Sequence, residues 1–202
     1  MNSSYLINPL MLLINTLFDL YILLVWLRFL LQLLRADFYN PISQFIVRLT
    51  TPPLRILRRM IPSIAGQDSA SIVLCIALIY VKFLIMRLLD IGFVPIGTAM
   101  APIGNASYAG LIVIATADLV ALTFSIFIGA ILIQVILSWI NPGHHNPLIG
   151  LINRVAEPVL RPLRNFLPPL GGIDLTPLFA ILVLMVAKML LVPPIVYMGG
   201  NI

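Results

Sequence analysis

The chain has 202 residues, of which 61% are hydrophobic and 9% are charged. An ordinary soluble domain is about 45–50% apolar and about 25% charged. Because so few polar side chains are available to cover a surface that faces water, the composition excludes a soluble globular enzyme and predicts a protein that is surrounded by lipid. The net charge of +5 is clustered along the chain, which points to anionic headgroups and topology signals rather than to contact with nucleic acid.

Four stretches are long and apolar enough to cross a hydrocarbon core of about 30 Å, which takes about 20 helical residues. They lie at about residues 9–34, 69–89, 108–140 and 175–197. The third would be about 50 Å long as a helix, so we expect it to tilt, to bend near Gly129 or to begin outside the bilayer. No small-residue cleavage pattern follows the first stretch, which we therefore expect to be retained as a membrane helix.

An internal repeat is the strongest pattern in the sequence. A shift of 106 residues superimposes nine positions without a gap. The first copy has Asn40, Pro41, Arg48, Pro52, Arg55, Arg58, Pro62, Gly66 and Asp68, and the second has Asn146, Pro147, Arg154, Pro158, Arg161, Arg164, Pro168, Gly172 and Asp174. Each half reads as span, basic segment and span. The sequence thus predicts an all-α membrane protein with four transmembrane helices in two parallel repeats.

The repeat divides the chain into a first half at residues 1–90, a linker at 91–107 and a second half at 108–202. The linker is rich in Gly and Pro, a composition that breaks helices, and it has no Lys or Arg. The Lys and Arg residues outside the spans lie in the two basic segments. By the positive-inside rule, we expect both basic segments in the cytoplasm and both termini outside it.

Each basic segment is predicted to contain an interfacial amphipathic helix, at residues 40–62 and 146–168. Asn40 and Asn146 are the expected structural caps, since the proline that follows each of them suits the first helical position. We expect Pro52 to interrupt the helix and to start a second short turn.

The arginines of these segments are the predicted lipid-binding or partner-binding residues. Arg55 and Arg58 are three residues apart, so their guanidinium groups leave one helical face and can hold the same phosphate or carboxylate. Asp68 and Asp174 close the segments and are the expected caps of the next spans. The simpler alternative is that the arginines fix topology and reach generic headgroups. The full predicted set is Arg48, Arg55, Arg58, Arg59, Arg154, Arg161 and Arg164.

Two lysines and one aspartate are predicted to lie deep within the spans. Lys82 and Lys188 also obey the 106-residue shift, each about 21 Å beyond its capping aspartate. Asp19 lies about 24 Å from the same face. An ion pair of Asp19 with either lysine is therefore compatible with the spacing, and such a pair would fix helix packing or line an ion path. The alternative is that both lysines reach the outer interface.

Three other charged residues are expected at the membrane surface or in packing roles. Asp118 lies about 34 Å before the inner end of its span, so it is predicted to be interfacial. Arg28 and Arg87 are predicted to be interfacial or to serve packing.

The sequence offers no candidate for catalysis. No phosphate-binding loop, nucleophile elbow or metalloprotease motif is present. His144 and His145 are adjacent on a loop, where a solvated role is favoured over ligation of a metal or haem. We therefore expect no enzyme activity, no metal and no cofactor.

The doubled N-P…P-x2-R-x2-R-x3-P…G-x-D segment, followed each time by an apolar span, resembles the YggT family of bacterial membrane proteins, which is related to the YlmG-type proteins of plastids. Residues 18–21 (FDLY), 27–28 (LR) and 37–41 (DFYNP) are also similar to positions of that family. The resemblance covers nearly the whole chain except the linker and the outer tails. The second half departs from the pattern, with Ser125 in place of Asp19 and two histidines in place of aromatics.

The resemblance implies a multi-pass protein of the bacterial inner membrane that is associated with resistance to osmotic shock and with potassium uptake. The similarity to the plastid relatives further implies a role in the distribution of nucleoids or in the attachment of haem to a thylakoid cytochrome. We therefore hold three hypotheses: a non-enzymatic organiser that binds anionic lipid or a membrane partner, a potassium transporter or channel component that is oligomeric, and a haem or cofactor-assembly factor.

Overall fold

A computed structural model of the chain describes residues 4–36, 40–63, 66–140, 147–166 and 174–202. These residues form six helices and one β-hairpin. In chain order they are α1 (Ser4–Leu33), α2 (Pro41–Met60), α3 (Ser69–Leu88), β1 (Phe93–Ile96), β2 (Ala99–Pro102), α4 (Tyr108–Ile140), α5 (Pro147–Phe166) and α6 (Thr176–Asn201). The predicted all-α membrane fold is confirmed.

Four of the helices are long and apolar enough to cross a membrane. They contain the candidate spans Pro9–Leu33, Ser69–Leu88, Tyr108–Ile140 and Thr176–Asn201. Helix α4 continues without interruption through Gly129 over 33 residues. Its length of about 50 Å exceeds a hydrocarbon core of about 30 Å, so the helix must either tilt strongly or extend beyond the core.

The helices pack in an order that repeats between the halves. In the first half α1 contacts α2 and α3, and α2 contacts α3; in the second half α4 contacts α5 and α6, and α5 contacts α6. Contacts of α3 with α4 and of α2 with α5 join the halves. Because α2 and α5 precede the second span of each half, they lie at one end of the bundle, which we call the basic end. The hairpin lies at the other, which we call the hairpin end.

Helices α2 and α5 are longer than the sequence predicts. Each runs for 20 residues through two internal prolines, so the predicted interruption at Pro52 is wrong. Buried Ile46 and Leu54 lie on the two sides of that proline and pack into the two hydrophobic clusters of the molecule. The carbonyls that Pro52 and the next proline leave without an N–H donor belong to Arg48 and Leu49, which are exposed. Packing on one face and solvation on the other thus permit a continuous helix.

The closest helix packing joins α4 and α6 at the hairpin end. A side chain on Gly110 would collide with the carbonyl of Gly199, and a side chain on Gly199 would lie 2.8 Å from the carbonyl of Gly110. Small residues let two helix backbones approach in this way, and such contacts are a main source of helix association in lipid.

The Gly and Pro rich linker folds into an antiparallel hairpin. Phe93 pairs with Pro102, and Ile96 pairs with Ala99. Between the strands Gly97 has φ +62°, a left-handed value that suits the first central position of a two-residue hairpin turn. One face of the hairpin is buried in the larger hydrophobic cluster. The linker is therefore part of the core of the bundle and not merely a connection between halves.

Candidate functional site: an intramembrane ion cluster and a basic end

Three helices bring opposite charges together within the bundle. The Lys82 ammonium on α3 lies 2.8 Å from Asp19 Oδ1 on α1 and 2.9 Å from Asp118 Oδ2 on α4. The Lys82 side chain is 5% exposed, whereas that of Asp19 is 58% exposed. Lys82 therefore links both halves of the molecule, while the carboxylate of Asp19 remains partly exposed.

This cluster resolves one alternative that the sequence leaves open and corrects another expectation. Of the two possible partners of Asp19, the structure selects Lys82. Asp118, predicted to be interfacial, instead accepts a hydrogen bond from Lys82 in the cluster, about 15 Å into a helix that begins at Tyr108. Its distance from the inner face was overestimated because the whole of α4 was counted as span, although a helix of 33 residues is longer than a hydrocarbon core is thick.

The second half contains the equivalent contact with a neutral partner. Lys188 Nζ on α6 donates a hydrogen bond of 2.9 Å to Ser125 Oγ on α4. Lys188 and Ser125 are related to Lys82 and Asp19 by the 106-residue shift. The geometry of the pair is therefore repeated, although the carboxylate is not.

A cavity of about 210 Å³ joins the two contacts, and we call it the polar cavity. Its polar lining consists of Asp19, Asp118, Ser125 and Lys188, and the hairpin turn reaches it through Gly97. A methyl group on Gly97 would lie 3.2 Å from Lys188 Cε. The two lysines and two aspartates of this region balance in formal charge, but the exposed carboxylate of Asp19 leaves acceptor positions that a cation or a hydrogen-bond donor can occupy.

Arg28 serves packing rather than the membrane surface. This residue of α1 is buried, with 7% of its surface exposed. Its guanidinium donates to the hydroxyls of Thr50 (2.9 Å) and Thr51 (3.0 Å) and to the carbonyl of Val47 (3.3 Å). These bonds attach α2 to α1. Arg87 donates to the carbonyl of Ala106 at 3.0 Å, so it also has a packing role.

Two of the predicted lipid-binding arginines form intramolecular ion pairs. Arg58 donates two hydrogen bonds to Asp68, of 3.2 Å from Nε and 2.6 Å from Nη2. In the second half, Arg164 Nε lies 3.7 Å from Asp174 Oδ2, and its Nη1 lies 3.2 Å from Glu157 Oε2. The repeat therefore ties the end of each amphipathic helix to the start of the next span. The equal spacing of Arg and Asp in both copies was the sequence signal for this pairing.

These ion pairs are accompanied by lowered carboxyl pKa values. Burial alone would raise the pKa of Asp68, but hydrogen bonds from Arg58 and Ser71 and the nearby arginine charges lower it overall. The pKa of Asp174 is lowered chiefly by its hydrogen bonds to Thr176, with a further contribution from Arg164. Both aspartates are therefore held in the ionised form.

The predicted caps have different outcomes. Asn40 caps α2, because its Oδ1 accepts a 2.9 Å bond from the backbone N–H of Ile42. Asp68 occupies the cap position of α3, but its side chain makes no capping bond. Leu175 occupies the cap position of α6, and Asp174, one residue earlier, accepts a bond of 2.9 Å from the backbone N–H of Thr176. Asn146 lies outside the described residues.

The remaining predicted arginines lie at the surface of the basic end. Arg154 donates to the carbonyls of Leu34 (3.0 Å) and Arg35 (3.3 Å) at the end of α1. Four others are exposed, and within the described ranges they make no ion pair with a carboxylate. These four, which we call the basic surface, are Arg48, Arg55, Arg59 and Arg161. His144 and His145 lie outside the described residues.

The fold defines a class: a membrane protein of four apolar helices in two repeats, each with an amphipathic basic helix between its spans. The family model described as CCB3/YggT matches residues 7–89 and 113–195. These two segments begin 106 residues apart, as the internal repeat does. The chain belongs to the CCB3/YggT family.

Two curated bacterial relatives cover most of the chain, and a plastid relative covers part of it. An uncharacterized protein of Pseudomonas aeruginosa is 45% identical over 93% of this chain and 90% of its own length. The uncharacterized protein YggT of Escherichia coli is 35% identical over 90% of this chain and 88% of its own length. A chloroplastic YlmG homolog protein of Arabidopsis thaliana is 33% identical over 39% of this chain and 30% of its own length. No solved structure matches the chain significantly.

Proposed function

We propose that this protein is a non-enzymatic membrane protein that binds anionic lipid headgroups through the basic surface of α2 and α5. We place it in the bacterial inner membrane, with the basic end in the cytoplasm and both termini outside it. Its physiological role in this proposal is to support the envelope under osmotic stress.

The observation that carries the proposal is the difference between paired and unpaired arginines. Arg58 and Arg164 are held by aspartates, whereas the four arginines of the basic surface are exposed on two helices with one apolar face each. A cation near an anionic membrane surface contributes about 1 kcal/mol of attraction. Four such groups on adjacent helices therefore favour an anionic leaflet over a neutral one.

The experiment uses Trp139 as an internal reporter, with the other tryptophan, Trp26, replaced by Phe in every sample. This side chain is 81% exposed near the basic end of α4, where lipids that carry bromine quench its fluorescence. We expect brominated phosphatidylglycerol to quench the native protein more strongly than brominated phosphatidylcholine does at equal mole fraction. Replacing all four arginines of the basic surface by glutamine should remove this preference, and replacing them by lysine should keep it. An unchanged preference in the glutamine variant would refute the proposal.

The polar cavity supports a second candidate function, the passage of a cation such as potassium. Charged groups within spans are costly and usually serve a path or a cavity, and the exposed carboxylate of Asp19 is positioned to receive a cation. Because four spans enclose little volume, this function would require an oligomer.

The test is potassium flux into liposomes that contain the purified protein. Flux should fall at least tenfold in Asp19→Asn, while Arg164→Gln, which removes a charge far from the cavity, should leave it unchanged. Absence of flux from folded native protein under any gradient would reject this candidate and leave the lipid-binding proposal standing.

A further inference from the structure

An apolar groove runs between the two halves on the basic side of the polar cavity. It has a volume of about 420 Å³ and is lined from α1, α2, α4 and α5 by side chains that include Leu27, Ile42, Ile126 and Val155. Leu122 and Ser125 line both the groove and the polar cavity. We call this feature the acyl groove.

The length of the acyl groove matches one leaflet of a bilayer. On α4 its lining extends from Leu122 to Ile133, a separation of about 16 Å at 1.5 Å per residue. A hydrocarbon core is about 30 Å thick, so the groove covers about half of it. A single acyl chain that enters from the basic end would therefore end near the polar cavity.

A basic pocket adjoins the groove at the basic end of the bundle. It has a volume of about 550 Å³, and Leu151 lines both the pocket and the groove. Arg35 and Arg154 supply its charge, and its described lining contains no Asp or Glu. Arg154 donates from Nε and Nη2 to the backbone carbonyls of the two residues that follow α1, which fixes its guanidinium in place while other N–H groups remain for an anion.

Two helical glycines keep this space open. Gly129 lines the acyl groove and Gly150 lines the basic pocket. Apart from the neighbouring backbone of the same helix, no atom of the described residues lies within 4 Å of the position that a Cβ would take at either residue, so no close packing in this part of the chain explains the glycines. The equivalent positions of the first half are Leu23 and Gln44. Glycine weakens a helix interior, and here it leaves room in both parts of one continuous site.

We propose that one anionic phospholipid binds between the halves, with its phosphate between Arg35 and Arg154 and one acyl chain in the acyl groove. The charge of the pocket selects an anionic headgroup, and the groove that continues from it selects an amphiphile over a free phosphate. This inference rests on the proposed function, to which it adds a discrete site that does not use the basic surface.

The test measures lipid that stays bound during delipidation. The purified protein is placed in detergent with phosphatidylglycerol and phosphatidylcholine at equal concentration, and native mass spectrometry counts the lipids retained per chain. We expect the native protein to retain one phosphatidylglycerol. Gly129→Leu and Gly150→Gln, which insert the residues of the first half, should each lower its occupancy at least tenfold. Arg35→Asn should do the same, because asparagine tolerates the left-handed backbone at this position (φ +51°).

The matched control is Gly92→Leu at the hairpin end, where a Cβ would also meet no atom of the described residues within 4 Å beyond its own chain neighbours. This variant should retain the lipid as the native protein does. Circular dichroism and a single peak in size exclusion establish that each variant is folded.

The remaining outcomes overturn the inference in distinguishable ways. If the native protein retains no lipid but Trp139 still reports a preference for phosphatidylglycerol, the discrete site is rejected and the proposed function stands. Loss of both signals rejects both. If the groove variants convert a dimer into a monomer without changing lipid retention, the groove holds a second copy of the chain instead.

Discussion

The two halves of this protein share their connections and differ in the charges that those connections carry. Lys82 and Lys188 occupy equivalent positions, and each donates to the equivalent residue of the preceding span. In the first half that residue is Asp19, and Asp118 adds a second carboxylate from the other half. In the second half it is Ser125. The comparison teaches that the repeat preserves the lysine donor and the geometry of the contact, whereas the acceptor is a carboxylate in the first half and a hydroxyl in the second.

The attachment of the amphipathic helix differs in the same way. In the first half Arg28 reaches from the span to the hydroxyl of Thr50 on α2. Its equivalent in the second half is Gln134, and the equivalent of Thr50 is Ala156. The first half therefore holds its amphipathic helix through a buried charge and hydroxyls, while the second has neither partner of that contact.

The largest expected effect is the loss of Lys82. In Lys82→Met two carboxylates would remain close together without a cation. Breaking a buried ion pair costs about 3–5 kcal/mol, and we expect the lower end of that range because Asp19 is 58% exposed. Lys188→Met removes only a hydrogen bond to a hydroxyl, which contributes about 1 kcal/mol. Unfolding by dodecyl sulfate in mixed micelles measures both.

One further variant sharpens this comparison. Ser125→Asp gives the second half the carboxylate of the first, so Lys188→Met should then cost nearly as much as Lys82→Met. Equal losses for the two lysine variants in the native background would show that the carboxylates contribute nothing to the difference between the halves.

Removal of Arg28 should have the next largest effect. Arg28→Gln inserts the residue of the second half and removes three hydrogen bonds from a charged donor, for an expected loss of about 2 kcal/mol. Amide hydrogen exchange should increase in α2 and remain unchanged in α5. The reciprocal Gln134→Arg should not stabilise the protein, because Ala156 offers no hydroxyl. Unchanged exchange in α2 would contradict the attachment role of Arg28.

Much of the architecture follows from composition and from the repeat. Apolar length locates all four spans, and the 106-residue shift predicts that α2 and α5 are equivalent. The contact between Lys82 and Asp19 also follows from spacing along a helix, because 1.5 Å per residue converts sequence separation into a common level in the bundle.

Other features depend on packing that one sequence does not contain. The hairpin in the linker was missed because its glycines and prolines indicate a break in helices without indicating what replaces them. Asp118 was misplaced because its depth depends on how far α4 extends beyond the core. Arg58 was assigned to lipid because its partner Asp68 lies ten residues away, beyond the helical spacings that predict side-chain contacts.

The ion pairs between Arg and Asp should produce a smaller effect that depends on pH. Asp68 is buried and accepts bonds from Arg58 and Ser71. The ion pair of Asp174 with Arg164 is longer, at 3.7 Å, and exposed. We expect Asp68→Asn to cost about 1 kcal/mol, since exposure of Arg58 weakens the pair, and Asp174→Asn to cost less. Thermal unfolding in detergent measures both.

The pH dependence follows from the lowered pKa values of both aspartates. The carboxyl group of Asp titrates at about pH 3.9 in the unfolded chain, so the stabilisation that the two ion pairs provide is fully present above that pH. It is lost as pH falls through the lower pKa of the folded state. The native protein and Asp68→Asn should therefore converge in stability in acid. A difference that grows below about pH 4 would contradict this sign.

The smallest effects separate the two kinds of glycine in the chain. Gly97 has a left-handed φ, so Gly97→Ala should destabilise the hairpin by about 1 kcal/mol. Its new methyl group would also press on Cε of Lys188, which lines the polar cavity. Gly129 has an ordinary helical backbone and open space, so Gly129→Ala should stabilise α4 by about 0.5–1 kcal/mol. Thermal unfolding of both variants in the same detergent gives the two signs. If Gly97→Ala were as stable as the native protein, the hairpin turn would not be held against Lys188, and the contact between the linker and the polar cavity would be incidental to the fold.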